Sequence, residues 1–139
     1  MPVSQEKLVE LRVQELEMVQ AIIARLAGYG AVIKNWCITV TTAVCGFAVA
    51  QHKPTVILLA YLPIIVFSIL DAEYLRAERR YRAVFERLRG QDWNTMPAFD
   101  LRADVAPPVE FANVFGSWSI LSFYLPVALG VAIMFLVAK

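Results

Sequence analysis

The chain has 139 residues, 59% of them AVILMFWYC and 18% charged, whereas soluble domains sit at about 45–50% and about 25%. A mean hydropathy of +0.58 is more than one small core can hide, which excludes an ordinary soluble domain and makes a bilayer the expected solvent. A net charge of +1 and a pI of 7.8 exclude a global field that attracts nucleic acid, so any basic recognition has to be local.

From the N-terminus, Ser4 is placed to cap an amphipathic helix over residues 4–29. Lys7 at N3 leaves the capping box incomplete, while Glu6 favours the helix start. Glu, Lys and Arg alternate with leucines over residues 4–17, which is unlike a signal peptide. Val9, Val13, Leu16, Ile23 and Ala27 form an apolar stripe that is expected to pack on another helix, of this chain or of a second subunit. Lying flat on an anionic membrane is disfavoured, because the polar face carries Glu6, Glu10, Glu15 and Glu17. Gly28-Tyr29-Gly30 predicts a hinge at the end of this helix.

Residues 31–50 follow as a 20-residue apolar run with the single charge Lys34, long enough to span a hydrocarbon core of about 30 Å. Within it Asn35, Thr39, Thr42 and Gly46 recur at helical spacing, a polar and small stripe that lipid does not favour. It is expected either to pack closely on a neighbouring helix or to line water in an oligomeric pore. Cys37 and Cys45 would lie about 12 Å apart on a helix, too far for a disulfide between them. The three-residue step Gln51-His52-Lys53 turns the chain into a second, charge-free run at 54–70, so the two spans form an antiparallel hairpin.

No Pro or Gly interrupts residues 64–89, and the second span is expected to continue as one Arg-rich helix over 71–90 until Gly90 stops it. Tyr74, Ala77, Tyr81, Val84, Phe85 and Leu88 are its apolar stripe. Residues 91–113, with Trp93, Pro97, Pro107 and Pro108, read as an ordered loop whose acids Asp92, Asp100, Asp104 and Glu110 can fold back on arginines. The third span, 114–138, has no charge before Lys139 and carries a second small and polar stripe of Ser119, Ser122, Pro126 and Gly130. Pro63 and Pro126 both follow a Tyr-Leu pair, and each permits a kink.

The fold class expected is therefore an all-α membrane protein of one domain: three transmembrane helices, an amphipathic N-terminal helix and a cytoplasmic extension of the second span. Lys53 and Lys139 fall on one side of the spans and the other eleven of the thirteen basic residues on the opposite side, together with all twelve acids. The positive-inside rule makes that second side cytoplasmic, with the N-terminus inside and the C-terminus periplasmic or extracellular.

Six arginines, Arg76, Arg79, Arg80, Arg82, Arg87 and Arg89, crowd the extension. Three explanations stand side by side. They are a topology signal with snorkelling to headgroups, a network with the acidic loop and the N-terminal glutamates, or an anion site assembled by oligomerisation from Arg76, Arg79, Arg80, Arg82 and Arg87. Arg at all six positions favours the latter two, since a planar fork suits phosphate and carboxylate. No enzyme is indicated. The sole histidine, His52, has no cysteine or carboxylate nearby, no glycine-rich phosphate loop exists, and neither a cofactor nor a metal is expected. Three short spans with no expected intramembrane ion pair also argue against a self-contained transporter.

The stretch LDAEYLRAERRYRAVF, Leu70 to Phe85, resembles a Leu-Asp-x-x-Tyr-Leu-Arg-x-Glu-Arg boundary helix of small bacterial membrane effectors encoded beside antiphage nucleotidyltransferases, including the Hailong type. Arg76, Glu78, Arg79 and Arg82 are the matching positions, and Glu73 stands where that pattern leads one to expect an aromatic. The resemblance implies an oligomeric inner-membrane channel or membrane-perturbing effector, gated by a cytoplasmic nucleotide or oligonucleotide. The alternative is a scaffold or accessory subunit whose N-terminal helix docks a cytoplasmic protein partner.

Overall fold

The computed structural model describes residues 4–138, so the position expected for Lys139 lies outside the described residues. Among the described residues 82% are helical and none is in a strand. The order is α1 (Gln5–Ala50), a 3₁₀ segment (Pro54–Ala60), α2 (Tyr61–Arg89), a 3₁₀ turn (Ala103–Val105), α3 (Phe111–Phe115) and α4 (Trp118–Ala138). Three helices are long and apolar enough to cross a membrane: α1, α2 with its 3₁₀ lead-in, and α4.

α1 begins where Ser4 Oγ accepts the Lys7 amide at 3.3 Å, and it runs for 46 residues, about 69 Å at 1.5 Å per residue. The expected hinge at Gly28-Tyr29-Gly30 is absent, and all three residues are helical. Packing overrides propensity here: Tyr29 lies against Tyr74 with ring centroids 5.3 Å apart, and a Cβ on Gly30 would come within 3.1 Å of Asp71 Oδ1. Gly30 makes room for a neighbour instead of bending the chain, while Gly28 stays helical beside open space.

His52 takes a left-handed φ of 52° to close the turn after α1, and Pro54 starts the 3₁₀ segment, where a missing N–H costs nothing. Pro63 falls in the first turn of α2 and is tolerated for the same reason. From there α2 runs unbroken to Arg89 and stops at Gly90, as its lack of breakers predicts. The third span begins later than expected, because Gly116-Ser117 separates the short α3 from α4.

Two cores hold the hairpin. In the apolar half, Cys37, Cys45, Ile57, Ile64, Val114, Ile120, Tyr124 and Val131 bring α1, α2 and α4 together. In the charged half, Val19 of α1 packs on Val84 and Leu88 of α2, with Leu16, Ile23, Tyr81 and Phe85 around them. The helix that the N-terminal stripe packs on thus belongs to this same chain. The Tyr-Leu-Pro echo becomes a reciprocal tie between α2 and α4. Tyr61 Oη donates to Ala128 O and Tyr124 Oη donates to Phe67 O, each at 3.1 Å. The outward surface of the apolar half is Trp36, Phe47, Leu59, Leu62, Leu125, Leu129, Ile133 and Leu136, far more exposed apolar surface than a monomer in water carries.

Candidate functional site

Antiparallel pairing of α1 and α2 sets every cross-hairpin contact. Lys34 stands 18 residues before His52 and Asp71 stands 19 after it, so the two face each other where the apolar runs give way to charge. Lys34 Nζ donates to Asp71 Oδ2 at 2.5 Å, with Asp71 2% exposed and the Lys34 side chain 23% exposed. This overturns the expectation that no ion pair links the spans. The sequence carries the signal, since nearly equal distances from a tight turn bring oppositely charged residues level, but each charge read alone looks like a boundary residue. A carboxylate at this depth is costly unless paired, and the Lys34 ammonium offsets that cost.

A second buried pair lies near the far end of the hairpin. Arg12 is 1% exposed and Glu15 is fully buried, with Arg12 Nη1 donating to Glu15 Oε2 at 2.7 Å. Arg12 also donates to Gln91 Oε1 at 2.9 Å and reaches the carbonyls of Asp92 and Thr95, while Glu15 Oε1 accepts the Phe99 amide at 2.8 Å. The pair pins the start of the 91–113 loop onto α1. Sequence reading puts Glu15 on the polar face of an amphipathic helix, and nothing local reveals that a loop some 80 residues later covers it together with Arg12.

The α2 arginines divide into two sets. Arg82 donates two hydrogen bonds to Glu78 Oε1 at 2.8 and 2.6 Å, and Arg89 bridges Glu86 at 3.3 Å. Arg76 Nε donates to the Val109 carbonyl at 2.7 Å and its Nη1 reaches Glu73 at 3.5 Å. Arg79, Arg80 and Arg87 have no ion-pair partner among the described residues, and Arg80 Nε is buried without a hydrogen bond. At 100° per residue Arg76, Arg79, Arg80 and Arg87 fall on one face of α2, and Arg82 points away from it.

Of the three explanations for the arginines, the network finds no ion pair between an α2 arginine and a loop acid among the described residues. The loop acids bind their own neighbours instead: Asp100 takes Arg102, Asp92 takes Asn94, and Glu110 takes Asn113. The hydrogen bonds from Arg102 hold the Asp100 carboxyl down at about 2, with a smaller pull from Arg87, and Asp100 in turn raises Arg102.

In the apolar half, Asn35, Thr39, Thr42 and Gly46 all lie on the exposed side of α1, while Ile33, Cys37, Thr41 and Cys45 make up the buried side. Thr39 Oγ1 satisfies itself by donating to Asn35 O at 2.9 Å. Thr42 and Gly46 meet Gly130 and Met134 of α4 across an open groove, whereas Asn35 and Thr39 form a shallower one with Val32 and Trp36. A Cβ on Gly46 or Gly130 would touch nothing within 4 Å, so both glycines border free space. Among the described residues no three His, Cys, Asp or Glu side chains gather to hold a metal ion.

No protein-family description, curated protein or solved structure matches the chain.

Proposed function

We propose that this chain is the subunit of an oligomeric channel or membrane-perturbing effector of the bacterial inner membrane, controlled from the cytoplasm by an anionic ligand of the nucleotide or oligonucleotide class in antiphage defence. The observation that carries the reading is the outward position of Asn35, Thr39, Thr42 and Gly46. A polar face against lipid is costly, and a neighbouring subunit or a water-filled axis removes that cost. The charged half, with the N-terminus and the α2 extension, is the cytoplasmic side by the positive-inside rule.

The ligand face is the row Arg76, Arg79, Arg80 and Arg87. Among the described residues Arg79, Arg80 and Arg87 lack carboxylate partners, which supports recognition of phosphate by forks that are not already engaged. Coupling follows from continuity. α2 carries the arginines and a span on one unbroken helix of 29 residues, so a tilt of one end is transmitted to the other. Resemblance of Leu70–Phe85 to the boundary helix of antiphage effectors points the same way. The reading requires neither an enzymatic centre nor a cofactor.

The second reading, a scaffold that docks a cytoplasmic protein through its N-terminal helix, draws on Val9, Val13 and Met18, which stay exposed after Leu16, Val19 and Ile23 have packed on α2. Two measurements separate the readings. The channel subunit forms a symmetric homo-oligomer in mild detergent and binds phosphate-bearing oligonucleotides with an affinity that falls with salt. A monomer at all concentrations, or no binding at low salt, contradicts it.

A further inference from the structure

We infer, resting on the anion-site reading of α2, that residues 100–110 form a strap latched over the arginine row by Arg76, and that a phosphate-bearing ligand opens it by taking Arg76 from the Val109 carbonyl. The strap runs back along α2. Leu101 and Ala106 pack on the Val19, Val84 and Leu88 core, the turn Ala103–Val105 lies against α2, and Val109 O meets Arg76 nearer the span.

The two ends of the strap are held differently. Just before it, Phe99 has a left-handed φ of 52°, which a bulky residue keeps only under constraint, and the buried Glu15 supplies the constraint by accepting the Phe99 amide at 2.8 Å. Beyond that pivot, the bond from Arg76 Nε to Val109 O at 2.7 Å is the hydrogen bond that joins residues 100–110 to α1 or α2 among the described residues. The others stay local: Asp100 with Arg102, Ala106 N with Ala103 O, and Glu110 with Asn113. Pro107 and Pro108 have no amide donors and a fixed φ, so the stretch leading to Val109 is stiff and adds no backbone tie.

Arg80 lies along the same face between Arg76 and Val84, under the strap's course. It is half-buried, and its Nε is sealed from water without an acceptor, a cost that an incoming anion removes. Val109 O is a neutral acceptor, whereas a phosphate carries full charge and engages a guanidinium through two parallel hydrogen bonds, so phosphate is the stronger partner for Arg76. The exchange strands nothing, because Val109 is only half-buried and its carbonyl turns to water. Val109 is followed by Glu110 and α3, whose Val114 is fully buried in the core of the three spans. The latch therefore also ties the arginine row to the segment that leads into α4.

The test is calorimetric titration of the full-length protein in mild detergent with sodium tripolyphosphate at fixed ionic strength, for the wild type and Leu101→Ala. Truncating Leu101 loosens the strap and leaves every arginine of the row in place, so the open fraction rises. With helicity confirmed by circular dichroism, the variant binds tripolyphosphate about tenfold more tightly. Hydrogen exchange read by mass spectrometry needs no variant: saturating tripolyphosphate speeds exchange of amides 101–106 in the wild type, whereas a ligand resting on a fixed surface slows it. Unchanged or weaker binding in Leu101→Ala overturns the strap and leaves the anion site standing, as does unchanged or slower exchange at amides 101–106. Absence of binding to both wild type and variant overturns the anion site and the strap together.

Discussion

Replacing Lys34 by methionine isolates the worth of the pair between α1 and α2. Asp71 is 2% exposed and its Oδ2 has Lys34 Nζ as its charged partner at 2.5 Å. Methionine keeps most of the side-chain volume, so packing changes little and the remaining effect is the orphaned carboxylate. Removing one partner of a buried pair costs about 3–5 kcal/mol, the upper end applying when no water reaches the survivor. Lys34 is 23% exposed and a cleft adjoins Asp71, so some water enters and the lower end, about 3 kcal/mol, is expected. The double variant Lys34→Met/Asp71→Leu removes both charges and is expected to unfold within about 1 kcal/mol of the wild type, since burying two charges costs nearly what their attraction returns. Unfolding in mixed micelles, followed by circular dichroism for the single and double variants, measures both values. A single variant within about 0.5 kcal/mol of wild type, or a double variant less stable than the single, refutes the assignment of Lys34 as the group that offsets the Asp71 charge.

Arg12→Ala leaves Glu15 buried and unpaired and releases residues 91–99, so a loss of about 3–5 kcal/mol and faster proteolysis within that loop are expected. Leu88→Ala, in the charged-half core, is expected to cost about 2–5 kcal/mol in the same unfolding assay. Tyr124→Phe removes the hydrogen bond to Phe67 O and is expected to cost about 0.5–1.5 kcal/mol. The depressed Asp100 carboxyl contributes stability above its ordinary value of 3.8, and that contribution is lost as pH falls toward about 2. A carbon-detected titration should therefore find Asp100 protonating near pH 2 in the wild type and near 3.8 in Arg102→Ala, and equal values in the two would contradict the pairing.

What the sequence discloses and what it conceals divide along a physical line. Runs of 20 and 17 apolar residues locate two spans because length against bilayer thickness is a one-dimensional criterion. The continuity of α2 is equally local, resting on the absence of Pro and Gly up to Gly90. Gly30 misleads because glycine has two uses, flexibility and close approach, and only the neighbour across the hairpin decides between them. Arg12 and Glu15 mislead for a related reason: their burial depends on the loop at Gln91–Phe99, which no helical period encodes. The arginine row of α2 is fully visible in sequence. Which of its members are engaged, Arg82 by Glu78 and Arg76 by Val109 O, depends on side-chain and loop placement that periodicity does not supply.

Planar-bilayer recording of the reconstituted oligomer, with short oligonucleotides added to the side bearing the arginines, tests the channel account most directly. The wild type is expected to pass a current that responds to ligand. Thr39→Leu with Thr42→Leu should abolish that current by making the path apolar, and Arg79→Ala with Arg80→Ala should keep the current and lose its response. Absence of current with or without ligand, or a ligand response that survives loss of both arginines, would contradict it.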